Sequence, residues 1–270
     1  AFEGEDLSNA SLWVGRSEGD IEMKNLFWGL AGAALLAGFA AAKPAPHQTT
    51  VAEPGEVHTY ILLDRTGSMA DIWDEALSSV NVYAAAVGKN EDGSTDDLET
   101  PVTLAAFDFQ ESLQFDLLRE GVTPGDWISV TNDEVNPRGM TPLFDAIGRM
   151  VSVAETDNPE RAVIVIMTDG MENSSREVTR DGAKAALDRV KAKGWDVVFL
   201  GAEFAKFDDA DGVGIDASKQ MAVGAGQMSV TAERLAQKSR AYGKGEEGEI
   251  TFNSDDRAVA DEEGVKARNQ

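Results

Sequence analysis

The chain contains no cysteine. That excludes a disulfide framework, a thiolate zinc site and a thiol nucleophile. Histidine is nearly as scarce, with His47 and His58 the only two in 270 residues. A histidine-rich metal site is therefore impossible, and a Ser-His-Asp triad would have to use one of these two. His47 lies in a proline-rich stretch, and His58 opens an apolar run at the end away from its terminal acid, so histidine catalysis is not expected. Basic residues are in short supply too: 24 Lys and Arg face 48 Asp and Glu, a formal net charge of −24. A field of that sign repels nucleic acid and anionic membrane surfaces, which removes both as main partners. It leaves metal cations, basic partners, or acidity kept only for solubility. No G-x-x-x-x-G-K-[ST] stretch occurs, so there is no phosphate loop of that type.

Apolar residues make up 42 % and charged residues 27 % of the chain, the balance of a soluble globular protein. The length suits one domain with appendages. Residues 1–22 carry six acids against Arg16 alone. Met23-Lys24-Asn25 then precedes seventeen apolar or small residues, "LFWGLAGAALLAGFAAA", ending in Ala40-Ala41-Ala42 before Lys43-Pro44. This is the layout of a secretory signal with an A-x-A cleavage site over 23–42, and it favours a cleaved signal over a permanent anchor at 26–42. An acidic leader is the wrong n-region, so Met23 is expected to be the true start and 1–22 to be upstream sequence. The expected location is periplasmic or secreted, with membrane attachment only through 26–42 if that segment is not cleaved. "KPAPHQTTVAEPGE" (43–56) reads as a linker, 57–245 as the folded domain, and 246–270 as an acidic tail with a short strand at "EITFN".

Within the domain, strand and helix patterns alternate. "HTYILLD", "PVTLAAFDF", "RAVIVIMTD" and "WDVVFLGAE" are apolar runs of strand length, bounded by turn residues. "PVTLAAFDF" and "SLQFDLL" are separated by Gln110-Glu111 and read as an antiparallel hairpin. Helices are expected over 70–89, over 141–155 with Thr141 as N-cap and Pro142 at the first position, over 177–194, and over 228–245. "FDDADG" (207–212) lacks the spacing of a calcium loop and reads as a plain loop. The fold class is α/β: a mostly parallel central sheet with one antiparallel edge hairpin and helices on both faces. In such folds ligands sit at the carboxyl ends of the strands.

That edge is where the polar residues gather. Asp64, Thr66 and Ser68 follow the first strand in "DRTGSM", Thr141 opens a helix, and Asp169 follows "AVIVIMT". Two carboxylates and three hydroxyls form an all-oxygen donor set suited to Mg²⁺, Mn²⁺ or Ca²⁺ rather than zinc or copper. Each residue also has a bland reading. Ser68 can cap the following helix, Thr141 can do the same, and Asp169-Gly170 is a common turn. Asp108 and Asp116 read as solvated hairpin residues, Glu172 and Asn173 as a rim for a partner, Gly139 as a point of close approach, and Gly67 as what lets the loop curl.

"DRTGSM", "RGMTPLFDAI" and "IVIMTDG", in this order and on these elements, resemble a von Willebrand factor A (VWA) domain with a metal-ion-dependent adhesion site. The family pattern is D-x-S-x-S, then a separate Thr, then a separate Asp. Asp64, Thr66 and Ser68 match the first motif, with Thr66 where serine is usual; Thr141 and Asp169 match the others. The resemblance covers about 57–245. It implies a Rossmann-like fold, Mg²⁺ (or Mn²⁺ or Ca²⁺) as cofactor, and a protein partner engaged through an Asp or Glu side chain, with no reaction catalysed. Other expectations stand beside it: a structural or virion component, or a cytoplasmic VWA partner of an ATPase. An acidic-pocket phosphatase or phosphotransfer enzyme fits worse, because Thr66 stands where the phosphatase class needs a second Asp and the late strand ends in "FLGAE" without a Lys.

Overall fold

The structure, a computed structural model, describes residues 55–202 and 207–269. The leader, the signal-like segment and all of the linker but its last two residues lie outside these. Among the described residues no helix is long and apolar enough to cross a membrane.

Six strands form one sheet: β1 Val57–Asp64, β2 Val102–Phe109, β3 Leu113–Val122, β4 Arg161–Thr168, β5 Asp196–Ala202 and β6 Gln220–Val223. Their order is β3-β2-β1-β4-β5-β6. Every neighbouring pair is parallel except β2 with β3. All residues of β1 and β2 are buried, as are all of β4 after Arg161. Central parallel strands have both faces covered, which is why they read as unbroken apolar runs rather than alternating ones. Ile61 and Leu63 face one core with Trp73, Leu77, Val80 and Leu235 of helices α1 (Trp73–Ala86) and α5 (Met228–Gly243). Tyr60 and Leu62 face the other, with Phe144, Ile147, Leu187 and Val190 of α2 (Leu143–Asp157) and α3 (Arg180–Ala192). The expected α/β architecture is the observed one.

Four local expectations are corrected. The helix expected from residue 70 begins as a 3₁₀ turn, Gly67–Ile72, and becomes α-helical only at Trp73. The strand expected over 112–118 runs on to Val122, with register shifts on both sides of Leu104 that absorb the extra β3 residues. "FDDADG" contributes a short helix, α4 Asp208–Gly212. The supposed tail is folded: α6 Ser254–Val259 and α7 Glu262–Arg268 follow, Ile250, Phe252, Ala260 and Val265 are buried, and "EITFN" is not a strand. Its acids are bound into the fold. Asn253 and Asp256 form a capping box on α6, and Glu262 accepts hydrogen bonds from Ala222 N and Arg257.

His58 sits at the opposite end of β1 from Asp64. It is buried, stacked on Tyr60 at 4.2 Å, with Nε2 2.9 Å from Thr103 Oγ1. Burial pushes its pKa down to about 4, against a weaker upward pull from Asp157. A depressed folded-state value means that stability is full above the ordinary 6.5 and is lost as pH falls through about 4. The loss should approach about 3 kcal/mol. His58→Gln, measured by urea unfolding between pH 7 and 4, should flatten that slope; an unchanged slope would assign acid sensitivity elsewhere.

Candidate metal centre

The register of the central strands assembles the site. Leu63 of β1 pairs with Met167 of its parallel neighbour β4, so Asp64 and Asp169 leave the sheet at the same edge. Past Asp64 the chain turns sharply. Thr66 N donates to Asp64 Oδ1 at 2.7 Å, and Thr168 Oγ1 donates to Asp64 Oδ2 at 2.5 Å. Both oxygens of Asp64 are therefore fixed before any ligand arrives.

The hydroxyls then form a chain across the edge. Thr141 Oγ1 donates to Thr66 Oγ1 at 3.2 Å, Thr66 Oγ1 lies 3.2 Å from Ser68 Oγ, and Ser68 Oγ donates to Asp169 Oδ1 at 2.8 Å. All five residues singled out in the sequence are thus brought together. Asp64, Thr66, Thr141 and Asp169 are buried, while Ser68 and Gly67 are exposed, so the cluster opens to solvent on the Ser68 side.

The bland readings of two hydroxyls do not hold. Neither the 3₁₀ turn nor α1 has a side-chain cap, so Ser68 caps no helix. Thr141 is not an N-cap either: Pro142 occupies that position and α2 starts at Leu143. The first amides of α2 go instead to Glu172 Oε2 (from Phe144 N, 3.0 Å) and Ser175 Oγ (from Asp145 N, 3.1 Å). Glu172 and Asn173, expected as a rim, are braces. Asn173 Oδ1 accepts from Thr141 N at 2.9 Å, and Asn173 N donates to Thr141 O at 3.0 Å. Asp145 Oδ1 and Oδ2 hold the amides of Arg176, Glu177 and Val178, so the irregular segment after Asp169 is pinned to α2 by acidic side chains.

The glycines divide. Gly139 adopts φ +73, and a Cβ there would fall 2.4 Å from Phe109 O, so close approach does require glycine. Gly67 has no left-handed backbone and donates its N–H to Gly139 O at 3.2 Å; the loop's curl does not come from it. Gly170 matters most. A Cβ there would lie 2.9 Å from Thr141 Oγ1, 3.5 Å from Ser68 Oγ and 3.6 Å from Asp64 Oδ2. The missing side chain leaves open a point on which three of the oxygens converge.

Electrostatics sharpen the picture. Among the described residues neither Asp64 nor Asp169 has an ion-pair partner. Burial pushes the Asp64 carboxyl up to about 6; hydrogen bonds from Thr168 and Thr66 oppose this, and the Asp169 charge adds to it. Burial also raises Asp169, opposed by the Ser68 hydroxyl. The nearest base in sequence, Arg65, turns away. Its Nε donates to Asp108 Oδ1 at 2.7 Å and its Nη2 to Asp116 Oδ2 at 2.6 Å. Asp108 is therefore no solvated hairpin residue but fully buried, with Arg138 Nε a second partner at 3.3 Å.

No family model matches the chain, and no curated protein does. Solved structures do match. The pilus adhesin SpaC from Lactobacillus rhamnosus GG aligns with a TM-score of 0.52 at 11 % identity, over 69 % of this chain and 30 % of its own. The vWF domain of the type V pili tip protein Mfa5 from Porphyromonas gingivalis aligns at 0.50 and 11 % identity, over 67 % of this chain and 94 % of that domain. This chain has the von Willebrand factor A fold. Proximal thread matrix protein 1 from the mussel byssus, solved with a zinc-occupied MIDAS motif, aligns at 0.48 and 14 % identity over 69 % of this chain. The chain spans 46 % of that protein's length.

On this VWA fold the donor set fits a small hard cation. Oxygens about 2.1 Å from one ion at right angles lie roughly 3.0 Å apart, and the contacts along the hydroxyl chain are 3.2, 3.2 and 2.8 Å. Among the described residues no three His, Cys, Asp or Glu side chains gather to hold a metal, so a centre at this edge relies on hydroxyls beside its two carboxylates. Two residues beside this cluster were not singled out in the sequence: Thr168, which holds Asp64, and Arg65, which holds Asp108 behind it. Thr168 had a signal, as the single hydroxyl ending an apolar strand just before an acid. Arg65 had none, because nothing in "DRTGSM" says which way its side chain turns.

Proposed function

We propose that this domain is a non-enzymatic, divalent-cation-dependent protein-binding module. Asp64, Thr66, Ser68, Thr141 and Asp169 would hold Mg²⁺, Mn²⁺ or Ca²⁺ at the sheet edge. When bound, the ion supplies a Lewis-acidic position for a carboxylate from a protein partner. The observation that carries this reading is the gathering of two buried, ion-pair-free carboxylates and three hydroxyls at one sheet edge, with Asp64 Oδ2, Ser68 Oγ and Thr141 Oγ1 facing the space left by the absent Gly170 side chain. Two buried like charges without a base are costly unless a cation joins them. The chain's own groups do the rest: Thr168 and Thr66 N fix the Asp64 oxygens, Asn173 sets Thr141, and the exposed Ser68 side is the entry. Export to a periplasmic or extracellular site, as an adhesion or assembly factor, accords with the signal-like pattern at 23–42 and with the pilus proteins that share the fold.

Calorimetric titration with each of the three ions tests it. One site is expected in the wild type. Gly170→Ala should weaken cation binding by about 10- to 100-fold, the equivalent of about 1–3 kcal/mol of overpacking, because its methyl group would crowd Thr141 Oγ1 and the convergence point while all five donor side chains stay in place. Unaltered affinity in Gly170→Ala would place the ion elsewhere. No binding at all would end the proposal.

A further inference from the structure

Among the described residues the exposed large apolar side chains are few: Leu117, Ile128, Met140, Met171 and Val230. Two of these five flank the candidate metal centre. Met140 immediately precedes Thr141, and Met171 immediately follows Gly170. They are 47 % and 45 % exposed. Both backbones are fixed. Met140 N and O pair with Phe109 O and N at 3.0 and 2.9 Å, and Met171 lies between Gly170 N, held by Thr168 Oγ1, and Glu172 N, held by Asp209 Oδ2. The two exposed thioether side chains are thus carried on fixed backbone next to Thr141 and Gly170, and a flexible, polarisable apolar surface of this kind adapts to a ligand's shape.

Charge narrows what can dock there. The chain carries a net charge of −24, and the cation would be balanced by its own two carboxylates. The rim cations are engaged within the chain: Arg138 is tied to Asp108 at 3.3 Å, Arg180 pairs with Asp209 at 3.7 Å, and Arg176 lies over the Phe109 ring at 4.4 Å. A run of acids approaching this rim meets repulsion from all but the one carboxylate on the ion. A lone carboxylate between apolar neighbours meets none, and its neighbours find Met140 and Met171.

We propose, resting on the cation-dependent reading above, that Met140 and Met171 are specificity determinants. The partner presents a single Asp or Glu side chain flanked by apolar residues, not an acidic run. Two partly buried apolar contacts are worth about tenfold in affinity.

The test uses the full chain with saturating Mg²⁺ and three blocked heptapeptides with a central Glu, flanked on each side by Leu, Ser or Glu. Binding is read by calorimetry and by the ¹³C-methyl resonances of methionine. The Leu-flanked peptide should bind about tenfold tighter than either other and shift the Met140 and Met171 methyl signals. Met140→Ser with Met171→Ser should equalise the three peptides while leaving Mg²⁺ affinity as in the wild type. A preference for the Ser- or Glu-flanked peptide, equal binding of all three, or a Leu preference surviving the double substitution each overturns it. Failure of the wild type to bind Mg²⁺ overturns the underlying reading instead, and is seen before any peptide is added.

Discussion

Asp64→Asn is expected to abolish divalent-cation binding and, in EDTA at pH 7, to leave the domain at least as stable as the wild type. Asp64 is fully buried, and its carboxyl titrates at about 6 against an ordinary 3.8, chiefly because burial penalises the charge. That gap corresponds to about 3 kcal/mol held against the ionised form. A folded-state value raised above the unfolded one means the group's contribution is complete below pH 3.8 and is lost as pH rises through about 6. An amide cannot ionise and escapes this loss. It also fits: Oδ1 keeps the Thr66 N–H, and Nδ2 donates to Thr168 Oγ1, whose own hydrogen can turn to Gly170 O, already 3.3 Å away. Adding cation at 100 times its Kd should stabilise the wild type by about 2.7 kcal/mol, roughly 5–11 °C in Tm for a domain of this size. The asparagine variant should gain nothing, so the stability order of the two proteins reverses between EDTA and Mg²⁺. Equal cation-induced shifts would remove Asp64 from the site, and a variant much weaker in EDTA would refute the desolvation argument.

What was legible in the sequence follows from which forces are local. β1 and β4 announce themselves because burial on both faces demands continuous apolar runs, and Asp64 and Asp169 stand out because each breaks such a run at its end. Parallel pairing then puts both acids on one edge. Thr141 was legible as a site residue but not as to its bonds, since a Thr-Pro pair before a helix fits a cap equally well. That choice is settled by Glu172 and Ser175, about 30 residues further on, which take the first amides of α2. Residues 246–270 misled for a related reason. Acids that satisfy helix N-termini and pair with Arg257 and Lys238 look, in composition, like acids that repel one another into a tail. Asp108 was misread because its partner Arg65 lies 43 residues away across a parallel crossover.

Arg65→Met should be among the most destabilising single changes in this domain, with a loss of about 3–5 kcal/mol, the range for removing one partner of a buried ion pair. Arg65 and Asp108 are both buried, and their contact is 2.7 Å. Without Arg65, Asp108 retains only the half-exposed Arg138 at 3.3 Å. The Arg65–Asp116 contact contributes little, because the Asp116 side chain is half in water and screened. Urea unfolding measures the loss. Adding Asp108→Leu to Arg65→Met should recover most of it, since two apolar side chains replace two desolvated charges, and the double-mutant cycle then isolates the pair. A loss under about 1 kcal/mol for the single variant, or no recovery in the double one, would show that the pair is not what holds the β2–β3 hairpin against the site loop. The backbone between them separates the two jobs: Arg65 N donates to Phe107 O and Arg138 N donates to Arg65 O, and neither bond involves a side chain. Asp64 and Thr66 are positioned by Thr168 and by each other, so the double variant should bind cation with the wild-type affinity. Arg65 therefore serves the stability of the fold behind the site, and the oxygens in front of it do not depend on its charge.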